Sequence, residues 1–266
     1  MADTWGMPAG SGDRWPDDYE RGRPGWPREA VELAGLPSSA TVLDLGAGTG
    51  KLTRELVAAF DRVVAVEPAD PMRARLAEIS PEAEALAGTA QEIPLSDRSV
   101  DAIFAAEAFH WFHDDRALAE IERVLRPGAA LVLLWNFPAA EWEPSVADVE
   151  QLLTDRMPEN GWYPLDLDGP HYTSGEWRLA FAGSPFEELR EARLPNPQTL
   201  DGDGLVAFYA SMGWIADLPD AVRLPLLDEV RSLLTAAAYR REWETHVYWT
   251  AMTIGSPSRS PSAERR

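Results

Sequence analysis

The stretch TVLDLGAGTG, residues 41–50, constrains the fold of this chain more than any other. Its first part is an apolar run of the length expected for a buried strand. Glycines then follow at alternate positions, at Gly46, Gly48 and Gly50. Glycine tolerates left-handed backbone conformations and lets a ligand approach the main chain. Apolar residues at helical spacing come next, so the pattern predicts a strand, a glycine turn and a helix whose first N–H groups face a ligand.

The spacing of the glycines separates this turn from the dinucleotide fingerprint G-x-G-x-x-G. The third glycine comes one residue early, and Lys51 stands at the sixth position. Asp44 precedes the turn, and Glu67 ends the next predicted strand, 62–67, about 20 residues further on, where a carboxylate can accept hydrogen bonds from ribose hydroxyls. The arrangement resembles motif I of class I S-adenosylmethionine (SAM) methyltransferases. The alternative is a tight turn that binds no ligand.

The N-terminal part contains a second resemblance. Residues 1–14 are rich in Gly, Pro, Asp and Ser and are expected to be disordered. Residues 15–27 interleave aromatic residues, arginines and prolines, which predicts an ordered but irregular segment. The run Y-E-R-G-R-P resembles the opening segment of trans-aconitate-methyltransferase-like enzymes, which folds over the cofactor. Tyr19 and Arg23 carry over, and an arginine suits a carboxylate; the alternative is a surface strap held by tryptophan packing. A short amphipathic helix is predicted over 28–34.

The next predicted strand, residues 86–90, ends near the adenine in the family that this chain resembles. Thr89, Ala90 and Gln91 occupy the adenine-side positions. The family more often has Asp where Thr89 stands, so the backbone N–H of Ala90 or the side chain of Gln91 is expected to recognise adenine instead. This element is not part of the dinucleotide fingerprint, and it favours SAM over a nicotinamide cofactor.

A fourth strand is predicted over 100–106, where the run is apolar as expected for a strand covered on both faces. It leads into the sequence E-A-F-H-W-F-H, and ligands bind beyond the carboxyl ends of strands in open α/β sheets. His110 can act there as a general base. The alternative is that His110 only packs or positions. Phe109 and Trp111 are expected to line a substrate pocket.

A helix and a fifth strand follow. The helix is predicted over 114–125 and is ended by the Arg-Pro-Gly sequence at 126–128. The strand is predicted over 129–135. The string R-P-G-A-x-L-V-L resembles the helix-to-strand turn of the small-molecule "type 11" methyltransferases. Trp135 and Asn136, at the carboxyl end of this strand, are expected to touch substrate.

Beyond residue 137 the pattern is weaker. Residues 138–183 are rich in aromatic residues, prolines and acids and are interpreted as a small cap inserted over the strand ends, with helical pieces near 144–156 and 175–182. A sixth strand is predicted over 186–194, and helices are predicted over 200–214 and 219–237.

The chain is expected to end with a seventh strand and a polar tail. Residues 239–254 alternate like an antiparallel strand, as in class I methyltransferases, which insert their last strand antiparallel. The tail, 255–266, is expected to be disordered. The methyltransferase domain would then occupy 15–254, with a lid segment at 15–35.

The composition limits the kinds of molecule that this protein is expected to bind. The 266 residues carry a formal net charge of −20, which disfavours nucleic acid as a partner. No stretch has the roughly 18 apolar residues that span a membrane, and the N-terminus does not resemble a signal peptide. The absence of cysteine excludes disulfides and cysteine-ligated zinc. We therefore expect a cytoplasmic enzyme that binds no metal and no membrane; the oligomeric state is not readable.

The predicted fold is a doubly wound α/β domain with a seven-stranded, mostly parallel sheet in the family order 3-2-1-4-5-7-6. The predicted function is methyl transfer from SAM to an oxygen or nitrogen of a small-molecule metabolite. Two alternatives stay open: a fold relative without methyl transfer, such as a biosynthetic cyclase, and a nicotinamide-dependent reductase. The residues predicted to bind the cofactor are Tyr19, Arg23, Asp44, Gly46, Ala47, Gly48, Gly50, Glu67, Pro68, Thr89, Ala90, Gln91 and Glu107. Those predicted to line the substrate pocket are Trp15, Phe109, Trp111, Trp135 and Asn136.

Overall fold

The computed structural model describes residues 15–157 and 175–254. The segments 1–14 and 255–266, expected to be disordered, and the part of the predicted cap at 158–174 lie outside the described residues. In the described parts, every helix is too short or too polar to cross a lipid bilayer.

The described chain forms nine strands in two sheets. The strands are β1 (Thr41–Leu45), β2 (Arg62–Val66), β3 (Glu84–Leu86), β4 (Val100–Ala106), β5 (Leu125–Pro138), β6 (Arg190–Pro195), β7 (Gln198–Leu200), β8 (Tyr239–Arg241) and β9 (Trp243–Ala251). The main sheet has the order β3-β2-β1-β4-β5-β9-β6, and β7 pairs with β8 in a separate ribbon. Strand β9 runs antiparallel to β5 and β6, with Trp135 opposite His246. The predicted seven-stranded topology is confirmed.

Helices cover both faces of the sheet and form a third layer at one end. They are α1 (Trp15–Gly22), α2 (Arg28–Glu32), α3 (Lys51–Ala59), α4 (Asp70–Ile79), α5 (Asp115–Val124), α6 (Ala147–Arg156), α7 (Gly202–Ala210), α8 (Gly213–Ala216) and α9 (Asp220–Leu233), with 3₁₀ helices at Phe109–Trp111 and Glu176–Phe181. Apolar residues of β1 and β4 are buried on both faces, as parallel strands require.

The third layer is a core of its own, which we call the helical layer. It is built from α6, α7, α8 and α9, together with three aromatic residues from the chain around them, Trp142, Tyr239 and Trp243. Phe208 of α7 is fully buried at its centre. The predicted cap helix near 144–156 is therefore packed with helices that follow much later in the sequence.

Several element predictions differ from the structure. Residues 15–22 form α1 rather than an irregular segment, because Pro16 stands in the first turn, where no N–H is needed. The third strand ends at Leu86, and residues 89–92 form a turn in which Thr89 and Glu92 exchange backbone hydrogen bonds. The helix predicted over 200–214 is two helices.

The break between α7 and α8 has a local cause. The hydroxyl of Ser211 donates to the carbonyl oxygen of Phe208 at 2.7 Å. A serine that bonds back to its own helix in this way favours termination. The strand predicted over 239–254 is also divided, because β8 pairs with β7 and only β9 joins the main sheet.

Candidate functional site

The glycine turn between β1 and α3 has the backbone that its sequence predicts. Gly46, Gly48 and Gly50 have φ values of 75°, 57° and 89°. These values lie in the left-handed region, which costs residues with a Cβ atom about 1–2 kcal/mol. The N–H groups of Gly46 and Ala47 both donate to the carbonyl oxygen of Val66, which fixes the turn to the end of β2.

The space around the three glycines differs. A Cβ atom on Gly46 would lie 2.8 Å from the Cβ of Ala108, and one on Gly50 would lie 3.1 Å from Leu76. A Cβ on Gly48 would meet no atom within 4 Å. Packing therefore excludes a side chain at Gly46 and would crowd one at Gly50, whereas Gly48 faces open space that a ligand can enter.

Glu67 lies beside this open space. Its carboxylate accepts hydrogen bonds from the N–H of Gly48 at 2.8 Å and of Ala69 at 2.9 Å. Burial raises the pKa of Glu67, and the two backbone donors oppose that change. Arg73 donates to the carbonyl oxygens of Glu67 and Pro68 and holds the segment after β2 in place. The carboxylate thus lies beside Gly48, immediately after the end of β2.

Asp44 lies beneath the turn and is only 1% exposed. Its Oδ2 accepts the hydroxyl hydrogen of Thr53 at 2.6 Å, and its buried Oδ1 has no hydrogen-bond partner among the described residues. Burial is the main reason that the pKa of Asp44 is raised to about 7; Thr53 opposes the shift. An unsatisfied buried carboxylate oxygen is costly and suits a ligand that carries hydrogen-bond donors.

Helix α1 is fixed to the glycine turn through Glu20. The Glu20 carboxylate accepts from the Thr49 hydroxyl at 2.8 Å and from Arg54 at 2.6 Å. The ammonium group of Lys51 donates to the carbonyl oxygen of Glu20 at 2.6 Å. Burial lowers the pKa of Lys51 to about 8, although Glu20 acts in the opposite direction. We call residues 15–25 the strap, because it crosses from the turn to the helical layer.

The other side of the strap is fixed to the helical layer. The indole N–H of Trp15 donates to the carbonyl oxygen of Ser211 at 3.2 Å, and Nε of Arg23 donates to the Ser211 hydroxyl at 2.8 Å. The Arg23 guanidinium also lies over the rings of Tyr19 and Phe208, at 5.8 and 5.3 Å. Trp15 packs with Met72 and Ala216 in a small cluster.

Several charged residues around the site influence the pKa of the Tyr19 hydroxyl. Burial raises its pKa to about 12, Arg23 lowers it, and Glu107, Glu67 and Glu20 raise it further. Tyr19 and Arg23 on the strap, Glu67 after β2 and Glu107 after β4 therefore lie close enough for their charges to interact.

The adenine-side residues form a turn that α5 holds. Ala90 is 3% exposed. The Gln91 amide nitrogen donates to Asp114 at 2.6 Å, and Asp114 also caps the N-terminus of α5. The amide nitrogen is thus already bonded to Asp114, whereas the buried amide oxygen of Gln91 has no hydrogen-bond partner among the described residues.

Two α5 side chains clamp the end of this turn. Glu120 accepts from the N–H of Ile93 at 2.9 Å. Arg123 donates to the carbonyl oxygens of Ile93 and Leu95 at 2.9 and 2.7 Å. The predictions from sequence do not include this pair. The i, i+3 acid–arginine spacing on a predicted helix was its only signal.

Two strand ends form the wall opposite the strap. Glu107, directly after β4, has a φ of 49°, which is strained for a residue with a side chain. Its Oε1 accepts the N–H of Asn136 at 2.7 Å. The Asn136 side chain donates to the carbonyl oxygen of Gly25 at 3.2 Å, and Asn196 donates to the same oxygen at 2.8 Å. The end of the strap is thus joined to the sheet.

His110 is buried behind this wall. The indole N–H of Trp135 donates to Nδ1 of His110 at 3.1 Å. Since an indole nitrogen can only donate, the neutral imidazole carries its proton on Nε2. Phe109 is fully buried among aromatic residues, whereas Trp111 is 44% exposed. Phe109 is therefore a core residue in the described structure.

Comparisons with known proteins find matches to methyltransferases. A family model described as a methyltransferase domain matches residues 43–133. An uncharacterized methyltransferase of Mycobacterium tuberculosis is 38% identical over 219 residues, which cover 81% of this chain and 82% of that protein. A malonyl-[acyl-carrier protein] O-methyltransferase of Methylococcus capsulatus is 44% identical over 109 residues, 37% of this chain and 40% of that protein.

A solved structure shows the same fold. It is a protein of Anaeromyxobacter dehalogenans, provisionally described as a type II methyltransferase, with a TM-score of 0.63 and 24% sequence identity. The match covers 87% of this chain and 99% of that chain.

Proposed function

We propose that this chain, which belongs to the methyltransferase domain family, transfers a methyl group to an oxygen or a nitrogen of a small-molecule metabolite. The chain is a SAM-dependent methyltransferase. When bound, SAM supplies an electrophilic methyl group on a positively charged sulfur. The observation that carries the proposal is the open space beside Gly48, next to the Glu67 carboxylate.

The residues around that space fit the parts of SAM. In this proposal the backbone of Gly46, Gly48 and Gly50 lies against the methionine part. Asp44 binds it, since Asp44 has a buried oxygen without a partner among the described residues. Glu67 accepts from the ribose hydroxyls. The turn around Ala90 packs on the base. Arg23 is held by Ser211 and can grip a carboxylate with its remaining N–H groups.

Two features favour a small acceptor. The strap is fixed at the glycine turn, the helical layer and the sheet, so the acceptor must fit beneath it. The net charge of −20 repels nucleic acids over most of the surface. The O-methyltransferase name of one relative supports oxygen as the atom that is methylated.

His110 acts in this proposal as a positioning residue and not as a base. Its Nδ1 lone pair already accepts the Trp135 N–H, and its proton is on Nε2. The residues that line the pocket then lower the activation barrier for methyl transfer by holding the reacting groups in the right orientation.

An acceptor screen tests the proposed function. The purified protein is incubated with methyl-labelled SAM and panels of small carboxylic acids, phenols and amines, with DNA and unrelated proteins as parallel substrates. We expect label and a mass increment of one methylene in a small molecule, with S-adenosylhomocysteine (SAH) as the second product. A Glu67→Gln variant is the control for cofactor-dependent labelling. Label in DNA or protein alone would overturn the proposal of a small acceptor.

A further inference from the structure

The contacts proposed above leave one oxygen of the Glu107 carboxylate without a role. Its Oε1 is fixed by the Asn136 N–H at 2.7 Å. Its Oε2 has no hydrogen-bond partner among the residues that the structure describes, and it is not sealed from solvent. One oxygen is thus anchored and the other is presented to the site.

The backbone conformation of Glu107 holds the side chain in this position. Its φ of 49° is unfavourable for a residue with a Cβ atom, and strain of this kind persists where the surrounding structure enforces it. The N–H of Glu107 is held by the carbonyl oxygen of Leu134 at 2.9 Å. The next residue, Ala108, lies against Gly46, since a Cβ on that glycine would come within 2.8 Å of it. Glu107 therefore lies directly beside the glycine turn.

We propose that Glu107 is the carboxylate that balances the sulfonium charge and accepts the proton of the acceptor during methyl transfer. Glu107 gains that proton on Oε2 while the bond from the acceptor oxygen or nitrogen to the methyl carbon forms and the carbon–sulfur bond breaks. The carboxylate and the sulfonium lose their charges together, so no isolated charge is left in a site of low dielectric. This inference rests on the proposed function.

The titration of Glu107 supports the role. Burial raises its pKa to about 7, while the Asn136 N–H and the charge of Arg23 lower it. Among the described residues, the other titratable groups of this charge cluster are Tyr19 and Glu20 on the strap and Glu67 after β2. A base whose pKa lies near the working pH is the most effective kind, and a sulfonium placed beside it would favour the ionised form.

Binding measurements test this without an acceptor, because SAM and SAH differ in the sulfonium charge. Calorimetry at pH 6, 7 and 8, in buffers of different ionisation enthalpy, measures affinity and proton release for both. We expect SAM to release a fraction of a proton near pH 7 that SAH does not release. We also expect the SAM-to-SAH affinity ratio to fall by up to about tenfold per pH unit below 7.

The variant Glu107→Gln keeps an acceptor for the Asn136 N–H. It should abolish the proton release on SAM binding and the pH dependence of the SAM-to-SAH affinity ratio, while SAH still binds. The matched control is Glu150→Gln, since Glu150 in the helical layer is another carboxyl whose pKa burial raises. Unchanged proton release and an unchanged pH dependence in Glu107→Gln would overturn the proposal. A wild-type protein that binds neither ligand would instead overturn the proposed function.

A second measurement separates charge balance from proton transfer. With an acceptor from the screen, methyl transfer by Glu107→Gln should lose the rise of the wild-type rate between pH 6 and 8. A variant that transfers methyl at the wild-type rate and with the wild-type pH profile would exclude proton acceptance by Glu107.

Discussion

At the scale of single residues, Gly48 is a position at which a substitution should weaken ligand binding more than it affects folding. Gly48→Ala places a methyl group in the space proposed for the cofactor, so we expect SAH affinity to fall about tenfold or more. The backbone cost is about 1–2 kcal/mol. Gly35→Ala is a matched control, because Gly35 has a φ of 62° and an added Cβ would again meet no atom within 4 Å, but it lies before β1. Equal loss of SAH affinity in both variants would contradict the assignment.

Asp44 makes a prediction about stability and pH. Its pKa is about 7 in the folded protein against an ordinary value of 3.8, so the folded state holds the proton more tightly. The free energy of unfolding therefore falls as pH rises from about 4 to 7, and this contribution is fully present only at low pH. Asp44→Asn retains an oxygen for Thr53 and has no titration. We expect the variant to gain stability relative to wild type between pH 4 and 8, in urea unfolding; a constant difference would contradict this.

At the scale of elements, Glu20 joins α1 to the glycine turn. Glu20→Gln weakens charge-assisted hydrogen bonds to Thr49 and Arg54. We expect SAH affinity to fall about fivefold, for a loss of about 1 kcal/mol. Amide hydrogen exchange over 15–25 should accelerate. Glu32→Gln is the control, since it removes an exposed ion pair with Arg28 on α2. Unchanged exchange in the strap would show that Glu20 does not hold it.

Elements with their own local signals were predictable from sequence. The apolar run and alternating glycines predicted β1, its turn and α3 in the correct order, and the prediction of β4 was correct at both ends. Asp114 was predicted as the first residue of a helix and is its N-cap. These features depend on neighbours in sequence, which periodicity can detect.

Elements decided by distant partners were not predictable. The strap is helical where Pro16 allows it, and its position depends on Ser211, almost two hundred residues away. The role of Asn136 as donor to Glu107 and to Gly25 depends on pairing of β5 with its neighbours. Of the predicted site residues, Tyr19 was named from resemblance and Glu67 and Glu107 from their places after predicted strands. Their closeness in space required the tertiary structure.

At the scale of the whole molecule, Phe208 connects the helical layer to the site. It is fully buried, packs against Trp142 and Trp243, and lies under the guanidinium of Arg23. We expect Phe208→Ala to lower the free energy of unfolding by about 3–5 kcal/mol. The folded fraction should also bind SAH more weakly, because Arg23 loses its support.

A variant in a different hydrophobic core controls for general destabilisation. Phe60→Ala opens the core between α3 and the sheet, where Phe60 is 8% exposed. It should cost a similar amount of stability and leave the SAH affinity of the folded fraction unchanged. Equal affinities in the two variants would mean that the helical layer does not support the strap.

The central claim is that the space beside Gly48 and Glu67 holds the adenosyl cofactor. Titration calorimetry of the wild-type protein with SAH and, separately, with NADH tests it directly. We expect one molecule of SAH per chain, a dissociation constant in the micromolar range and no heat with NADH. The absence of any SAH binding, or binding that Gly48→Ala and Glu67→Gln both leave unchanged, would contradict the account.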